Sequence, residues 1–409
     1  MVKTECLLCG QEFPLNLHHP FCSQCHQPLF LKTSLPLKDD FSDSDSFLEK
    51  LFPPPSGQVS LGEGQTPLLR LASLEKKLGF NSLWAKNEGL NPTGTFKDRG
   101  TVRAVEEACR LGIKKIGTVS VGNMAASTAA YGARAGLETY ILVRGDVDPQ
   151  KLKLIQTFDA CLIQVKGDYG ELFDKSYELG QTYGIYFINS IDPLRLAGYK
   201  TIAREILQQL APLSPEVIVV PVSSGGHFLG IFKAFLELAS LDFLPQLPLF
   251  IGVQSDRCSP LVEAFQRQAK VFTRIHNLPP VPYAISNPNP PGGNLVLHLI
   301  YKYKGYLVAV SDEDISQAQQ LLALEEGIFA LPSSAAALAA LLHCQNYLPS
   351  LRQKTICLIL TGTGWRGKRV FNPGKTTIHQ TSLNALDHFF GQLLAKERKK
   401  TTLKNLLPE

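Results

Sequence analysis

The chain has 409 residues, 44% of them hydrophobic and 9% aromatic, which suits two or three compact globular units with a sizeable core. Of the formal charge of +5, the stretch 396–409 holds +3 (Lys396, Arg398, Lys399, Lys400 and Lys404 against Glu397 and Glu409), leaving +2 elsewhere. That is too little for a nucleic-acid-binding body, and the basic tail reads as a solvated end. Residues 1–30 are interrupted by Cys, His and Gln, and apolar runs such as Ala335–Leu342 fall short of the roughly 18 residues of a membrane span. With no export signal, a cytoplasmic location is expected, and the nine cysteines read as ligands or buried thiols rather than disulfides.

Residues 1–30 carry Cys6-x2-Cys9 and Cys22-x2-Cys25, separated by twelve residues. Each pair sets two sulfurs on one tight knuckle, and two knuckles close a tetrahedron around zinc. So short a segment cannot build its own core, so a structural metal would supply its folding free energy. His18, His19 and His26 lie nearby, but four thiolates already complete the coordination. Lys3 is the only Lys or Arg in this ribbon, which argues against a nucleic-acid grip.

Residues 31–60 form an acidic, Ser/Pro-rich linker with one short helix possible around Phe47–Leu51. From 61 to 369, strand-like runs alternate with helical patterns. The strands are expected at Leu83–Lys86, Lys115–Val119, Thr139–Val143, Cys161–Val165, Tyr186–Ile188, Val217–Val222, Leu249–Val253 and Thr355–Leu360. Helices are expected at Thr101–Leu111, Met124–Ala135, Gly198–Leu210 and Ser311–Glu325. This alternation predicts βαβ units and parallel sheets in two lobes, with ligand chemistry where strand ends meet helix starts. Residues 370–409 form a C-terminal extension without a readable role.

Four junctions carry chemistry. After Leu83–Lys86 a loop, Asn91-Pro-Thr-Gly94, delivers Lys97 to a helix start behind Phe96. A positive helix end and partial burial both disfavour ammonium, as a Schiff-base lysine needs, although spacing alone fits a surface lysine as well. Ser120-Val-Gly-Asn-Met124 opens an Ala-rich helix and offers backbone donors to a carboxylate, or simply caps the helix. Ser223-Ser-Gly-Gly-His227 converges N–H groups on one anion, or makes a tight turn. Thr361-Gly-Thr-Gly364 ends a core strand.

The stretch Asn91–Gly100 resembles the lysine motif of the threonine synthases, within the fold-type II pyridoxal-phosphate (PLP) enzymes, and the likeness covers most of Leu61–Gly364. It begins at Leu61-Gly-Glu-Gly-Gln-Thr-Pro-Leu68, and a zinc ribbon ahead of such a core is also similar to some members. The resemblance implies a two-domain α/β fold like the tryptophan synthase β subunit. It implies that Lys97 is the catalytic residue and carries PLP, that Asn123 hydrogen-bonds the ring hydroxyl and that Ser223, Ser224, Gly225, Gly226 and His227 hold the phosphate. Thr361 would donate to the pyridine nitrogen, a neutral partner that favours elimination and replacement over transamination. Ser120, Asn189, Ser190, Arg195 and Lys200 would bind substrate, the last four through its phosphate; Arg suits this through its fixed fork of donors. The implied reaction turns O-phosphohomoserine and water into threonine and phosphate in an amino-acid-binding homodimer, with neither nucleic acid nor membrane as partner. Val121, Met124 and Ser224 depart from the residues usual at those places. They leave open a serine/threonine ammonia-lyase, a cysteate synthase, or a PLP-binding regulatory homologue without turnover.

Overall fold

The computed structural model describes residues 2–33, 44–120, 122–144, 152–276 and 285–366, together with 388 and 392. Part of the linker (34–43), Val121 and nearly all of the C-terminal extension therefore lie outside the described residues. The chain divides into units 1–367 and 368–409, and every described strand lies in the first.

Three sheets make up that unit. The ribbon is a small antiparallel sheet of β1 (Lys3–Cys6), β2 (Glu12–Pro14) and β3 (Leu29–Leu31), in the order β2-β1-β3. The next strands in the chain are β4 (Leu68–Arg70) and β5 (Ser82–Asn87), followed by β6 (Lys115–Val119), β7 (Glu138–Arg144), β8 (Cys161–Val165) and β9 (Tyr186–Phe187). The last four are β10 (Val217–Pro221), β11 (Leu249–Ser255), β12 (Tyr306–Val310) and β13 (Thr355–Leu360). Strands β6 to β9 form a four-stranded parallel sheet in the order β8-β7-β6-β9. The other core strands form a six-stranded sheet, β12-β11-β10-β13-β5-β4, in which only β4 runs antiparallel to its neighbour.

The smaller sheet is thus inserted in the chain between β5 and β10 of the larger one. The β-branched run Val217-Ile-Val-Val is buried along its whole length, as expected of a central parallel strand covered by helices on both faces. The predicted strands are all present, three with the expected ends and the others shifted by one or two residues, and β4 and β12 join them. Helices begin earlier than expected at two places that matter: Lys97–Arg110 includes the lysine itself, and Pro193–Leu210 includes Arg195.

Those two helices cross in backbone contact. A Cβ at Gly198 would stand 2.1 Å from the Arg99 carbonyl oxygen, and one at Gly100 would stand 2.3 Å from Arg195 Cγ. Glycine at both positions lets the arginine of one helix reach beneath the lysine of the other. No helix among the described residues is long and apolar enough to cross a membrane.

Candidate active site

Strands β10, β13 and β5 are neighbours and run parallel, so the loops leaving their C-terminal ends emerge side by side. From β5 the chain makes a short 3-10 turn, Glu88–Leu90, and then the lysine loop. Asn91 ties that turn: its Nδ2 donates to the Glu88 carbonyl and to Glu88 Oε2, both at 2.9 Å. The Thr93 amide and hydroxyl each donate to the Asp98 carboxylate at 2.6 Å, and Ser127 Oγ donates to it at 2.6 Å. The loop is therefore closed by its own first helical turn before Lys97 is positioned.

The loop after β13 lies against it. Phe96 N donates to the Thr361 carbonyl at 3.1 Å, and Thr363 N donates to the Gly94 carbonyl at 3.0 Å. The loop after β10 meets the same residue from another side: the His227 ring stacks on Phe96, centroids 3.7 Å apart. Phe96 is thus the hub of the three loops, and the Lys97 amine stands 4.2 Å from the centre of its ring.

Electrostatics single out that amine. Lys97 Nζ has no hydrogen bond or ion pair with any described residue. Burial, with the Arg195 charge adding to it, pushes its pKa down to about 7, so much of it is a neutral nucleophile near neutrality. Burial likewise holds His227 well below its usual range, with the charges of Lys97 and Arg99 acting in the same direction. Neither ring nitrogen of His227 finds a partner, nor do Tyr199 OH, Ser190 Oγ and Arg195 Nε, all of them buried. Buried polar atoms left without partners are costly, and His227, Tyr199 and Arg195 all adjoin Phe96 or Lys97. A polar, anionic ring compound carrying an aldehyde would satisfy both features, and PLP fits that description.

The residues expected in the site take different places. Asn123 opens the helix Asn123–Ala135, and Ser120 Oγ accepts from the Gly122 amide at 3.3 Å. Gly225, at φ +94°, starts the helix Gly226–Ser240 without a side-chain cap, and a Cβ at Gly226 would meet the Ser190 carbonyl oxygen at 2.1 Å. Ser223 is half-buried before this turn, while Ser224 Oγ accepts from Asn287 Nδ2 at 3.0 Å. Arg195 lies wholly buried beneath Lys97, its guanidinium donating to Thr101 Oγ1 at 2.9 Å and to the Ile188 carbonyl at 3.0 Å.

Two expected phosphate ligands are engaged otherwise. Asn189 Oδ1 accepts from the Val119 amide at 2.9 Å, and its Nδ2 donates to Ser176 Oγ at 2.9 Å, so it brackets β6 against its neighbours. The Lys200 amine is held by Glu237 at 2.6 and 2.8 Å and by Thr33 Oγ1 at 2.8 Å. The helix turns that side chain toward the ribbon, and none of its described polar contacts reaches the Lys97 cluster.

Residues not foreseen from the sequence complete the site. Ser334, at the start of the helix Pro332–Cys344, shares a 2.8 Å hydrogen bond with Thr361 Oγ1 and accepts from the Gly362 amide at 2.9 Å. Pro332-Ser-Ser-Ala is a readable helix start, but nothing local ties it to a loop some thirty residues later. Arg99 anchors the far side of the lysine helix, donating to Glu88 at 2.6 and 2.8 Å and to Glu205 at 2.6 and 2.7 Å.

In the ribbon, the sulfurs of Cys6, Cys9, Cys22 and Cys25 all lie within 4.8 Å of one another, with 3.4, 3.6 and 3.8 Å for three of the pairs. A regular tetrahedron of metal–sulfur bonds near 2.3 Å has edges of about 3.8 Å, so the donor set fits such an ion.

Comparison with known proteins adds lineage to geometry. The family described as "Pyridoxal-phosphate dependent enzyme" matches residues 59–362. The threonine synthase of Methanocaldococcus jannaschii is 42% identical over 307 residues, 75% of this chain and 76% of that protein. That of Methanosarcina acetivorans is 33% identical over 370 residues, 88% of this chain and 91% of that protein. Among solved structures, the threonine deaminase of T.th. superposes with a TM-score of 0.61 at 26% identity, covering 76% of this chain and 94% of that one. Maize serine racemase, at 17% identity, shares the fold with a TM-score of 0.63, over 87% of this chain and 98% of that one.

Proposed function

The chain belongs to the family of pyridoxal-phosphate-dependent enzymes, and from that premise we propose that it is a threonine synthase, converting O-phosphohomoserine and water into threonine and phosphate. The observation that carries the reading is the Lys97 amine: unpaired, largely neutral near pH 7, and placed where three strand-end loops converge. When bound, PLP supplies the electron sink that acidifies protons on the carbons next to the substrate nitrogen.

The protein's own groups do the rest. Lys97 holds the cofactor through its amine and then moves protons at Cα and Cβ of the substrate, the work of a base poised near neutrality. The turn Ser223–His227, with its helix start free of any side-chain cap, receives the cofactor phosphate. Asn123 would hydrogen-bond the ring hydroxyl, and Thr361, braced by Ser334, would offer the ring nitrogen a neutral hydroxyl. Ser120, Ser190 and Arg195 bear on the substrate. Ser190 keeps a buried, unpartnered hydroxyl and Arg195 an unpartnered Nε, as a phosphate-binding role needs. Asn189 and Lys200 support these from behind, through the strand bracket and the Glu237 pair. In the ribbon, one structural zinc held by Cys6, Cys9, Cys22 and Cys25 would take the place of a hydrophobic core.

The test is phosphate release from O-phosphohomoserine with threonine formed in equal amount. Efficient deamination of threonine and serine with phosphohomoserine inert would instead establish an ammonia-lyase. Borohydride reduction followed by peptide mapping locates the cofactor independently of substrate, and a pyridoxyl group on Lys86 or Lys114 would remove the assignment to Lys97.

A further inference from the structure

The two lobes of the core also meet outside the cluster around Lys97. Asp168 lies between β8 and β9, in the lobe of the smaller sheet, and caps the helix Tyr169–Tyr183. Arg274 lies between β11 and β12, in the lobe of the larger sheet. Their side chains form an ion pair, Arg274 Nη2 to Asp168 Oδ2 at 2.7 Å. The other carboxylate oxygen, Oδ1, accepts from the amides of Gly170 at 2.8 Å and Glu171 at 3.1 Å. The helix start thus fixes the carboxylate, and the pair forms without ordering a free side chain on that side. The segments also approach closely: a Cβ at Gly170 would stand 3.5 Å from Asn289 Nδ2 and 3.9 Å from Arg274 Nη1.

Each side of the pair leads to a loop of the site. In the smaller lobe, Tyr169 follows Asp168 directly, and its hydroxyl donates to the Val119 carbonyl at 3.2 Å, one residue before Ser120. In the larger lobe, the Ile275 amide donates to the Pro288 carbonyl at 3.0 Å, which ties Arg274 to the strap 286–292. That strap grips the turn Ser223–His227 twice. Asn287, 6% exposed, donates through Nδ2 to Ser224 Oγ at 3.0 Å, and the Gly292 amide donates to the Ser224 carbonyl at 2.9 Å. The Asn289 amide donates to Asn287 Oδ1 at 3.0 Å and so fixes which end of that side chain faces Ser224. The ion pair therefore closes a chain of contacts from the Ser120 loop of one lobe to the Ser223–His227 turn of the other.

We propose that Arg274 is a positioning residue whose ion pair with Asp168 latches the two lobes together and sets how readily the cleft over Lys97 opens. The two side chains are 34% and 40% exposed, so the pair contributes a small factor that salt can screen. Such a contact can yield and reform, as a latch must. Its bearing on the cofactor rests on Lys97 being the PLP site, whereas the latch between the lobes does not.

Release of PLP from the holoenzyme, followed by loss of its visible absorbance on dilution, reads the opening. Asp168→Asn removes one charge and keeps a good helix cap, and Arg274→Gln removes the other charge and keeps most of the stem. Each should speed release about two- to fivefold, the factor expected of a half-exposed pair, and the double variant should be no faster than Arg274→Gln alone. Arg274→Lys should restore the parent rate. The ratio of the Arg274→Gln rate to the parent rate should fall toward one between about 0.1 and 1 M salt, as the screening length drops from about 10 to 3 Å. Amide exchange in the cofactor-free chain decides the latch separately. Peptides over 168–176 and 286–294 should exchange about two- to fivefold faster in Arg274→Gln, while the ribbon peptide 2–14 stays unchanged. A pyridoxyl label away from Lys97 together with that exchange pattern would remove the cofactor assignment and support the latch. Unchanged exchange, unaltered release of a Lys97-bound cofactor, additive effects in the double variant or a ratio indifferent to salt would each overturn the proposal.

Discussion

Lys86 and Lys97 stand at the two ends of one loop and differ in a single respect. Both are withdrawn from water, and burial lowers both amines from the usual lysine range. Lys86 is met by Glu205 at 2.7 Å, the Thr66 carbonyl at 2.5 Å and Gln209 Oε1 at 3.1 Å, and the charges of Glu205 and Glu88 oppose the effect of burial. Lys97 has no such partner, and the nearby cation Arg195 adds to the effect instead of opposing it. Burial alone does not make a nucleophile; burial with the counter-ion withheld does. The same loop therefore carries a structural lysine and a chemical one.

Removing each amine should separate these roles most sharply. Lys97→Ala should lower turnover by more than about 10⁴-fold, since one amine anchors the cofactor and carries the proton. Compared cofactor-free, the variant should keep a denaturation midpoint at or above that of the parent, because an unpaired buried amine contributes nothing to hold. Lys86→Met should do the reverse, costing about 3–5 kcal/mol of stability in urea unfolding by breaking a buried pair, while borohydride still labels Lys97. A Lys86→Met protein that keeps its stability and loses its label would invert the comparison.

The ribbon poses the same question with the sign reversed. Four sulfurs within 4.8 Å of one another would repel as thiolates unless a cation is supplied. Metal analysis of protein purified without chelator should give one zinc per chain, and Cys22→Ser should lose most of it. The core should remain folded, because the ribbon is also tied to it by Glu5 with Lys233 at 2.6 Å and by Thr33 with Glu237 at 2.8 Å. Unchanged zinc content in Cys22→Ser would show that the metal lies elsewhere.

How much of this is legible in the sequence follows the range of the interactions involved. The knuckle cysteines, the strands with β-branched runs and the lysine at a helix start are local patterns, and each stands where the sequence places it. The meeting of the three loops at Phe96 is not local, because it depends on β10, β13 and β5 becoming neighbours in one sheet. Lys200 illustrates the opposite failure. The family resemblance implies a phosphate ligand there, yet the helix turns it toward Glu237, a residue 37 positions away. Ser334 and the Arg99–Glu205 pair are likewise contacts between distant segments, invisible to any window of sequence.

The proton inventory of Lys97 gives a smaller but cleaner test. The neutral amine attacks the cofactor aldehyde, and with a pKa near 7 it is mostly neutral above that pH and mostly ammonium below it. In cofactor-free protein, the rate of PLP attachment should fall about tenfold per pH unit below 7 and level off above it. The neutral His227 beside it should add no second step in this range, since its folded value lies well below 6.5. A rate still climbing between pH 8 and 10 would mean that Lys97 has an unseen carboxylate partner, and the contrast with Lys86 would collapse.

The smallest effect expected is at Ser334, which touches neither lysine and acts only by holding Thr361. Its hydroxyl joins Thr361 Oγ1 at 2.8 Å, accepts from the Gly362 amide at 2.9 Å and donates to the Gly362 carbonyl at 3.1 Å, so Ser334→Ala removes three hydrogen bonds at the loop after β13. A hydrogen bond of this kind contributes about 0.5–1.5 kcal/mol, and the freed Thr361 hydroxyl can still turn toward a bound ring. Cofactor retention, followed by dilution of the holoenzyme, should therefore weaken by only about 2- to 10-fold, with the pyridoxyl label still on Lys97. The pH dependence of attachment should not move, because Ser334 contributes no charge near the amine. A loss beyond about a hundredfold would mean that Ser334 contacts the cofactor directly, and no loss at all would mean that Thr361 is held by the Phe96–Thr361 backbone bond alone. Either result would change which loop is credited with fixing the ring, while the division of labour between Lys86 and Lys97 would stand.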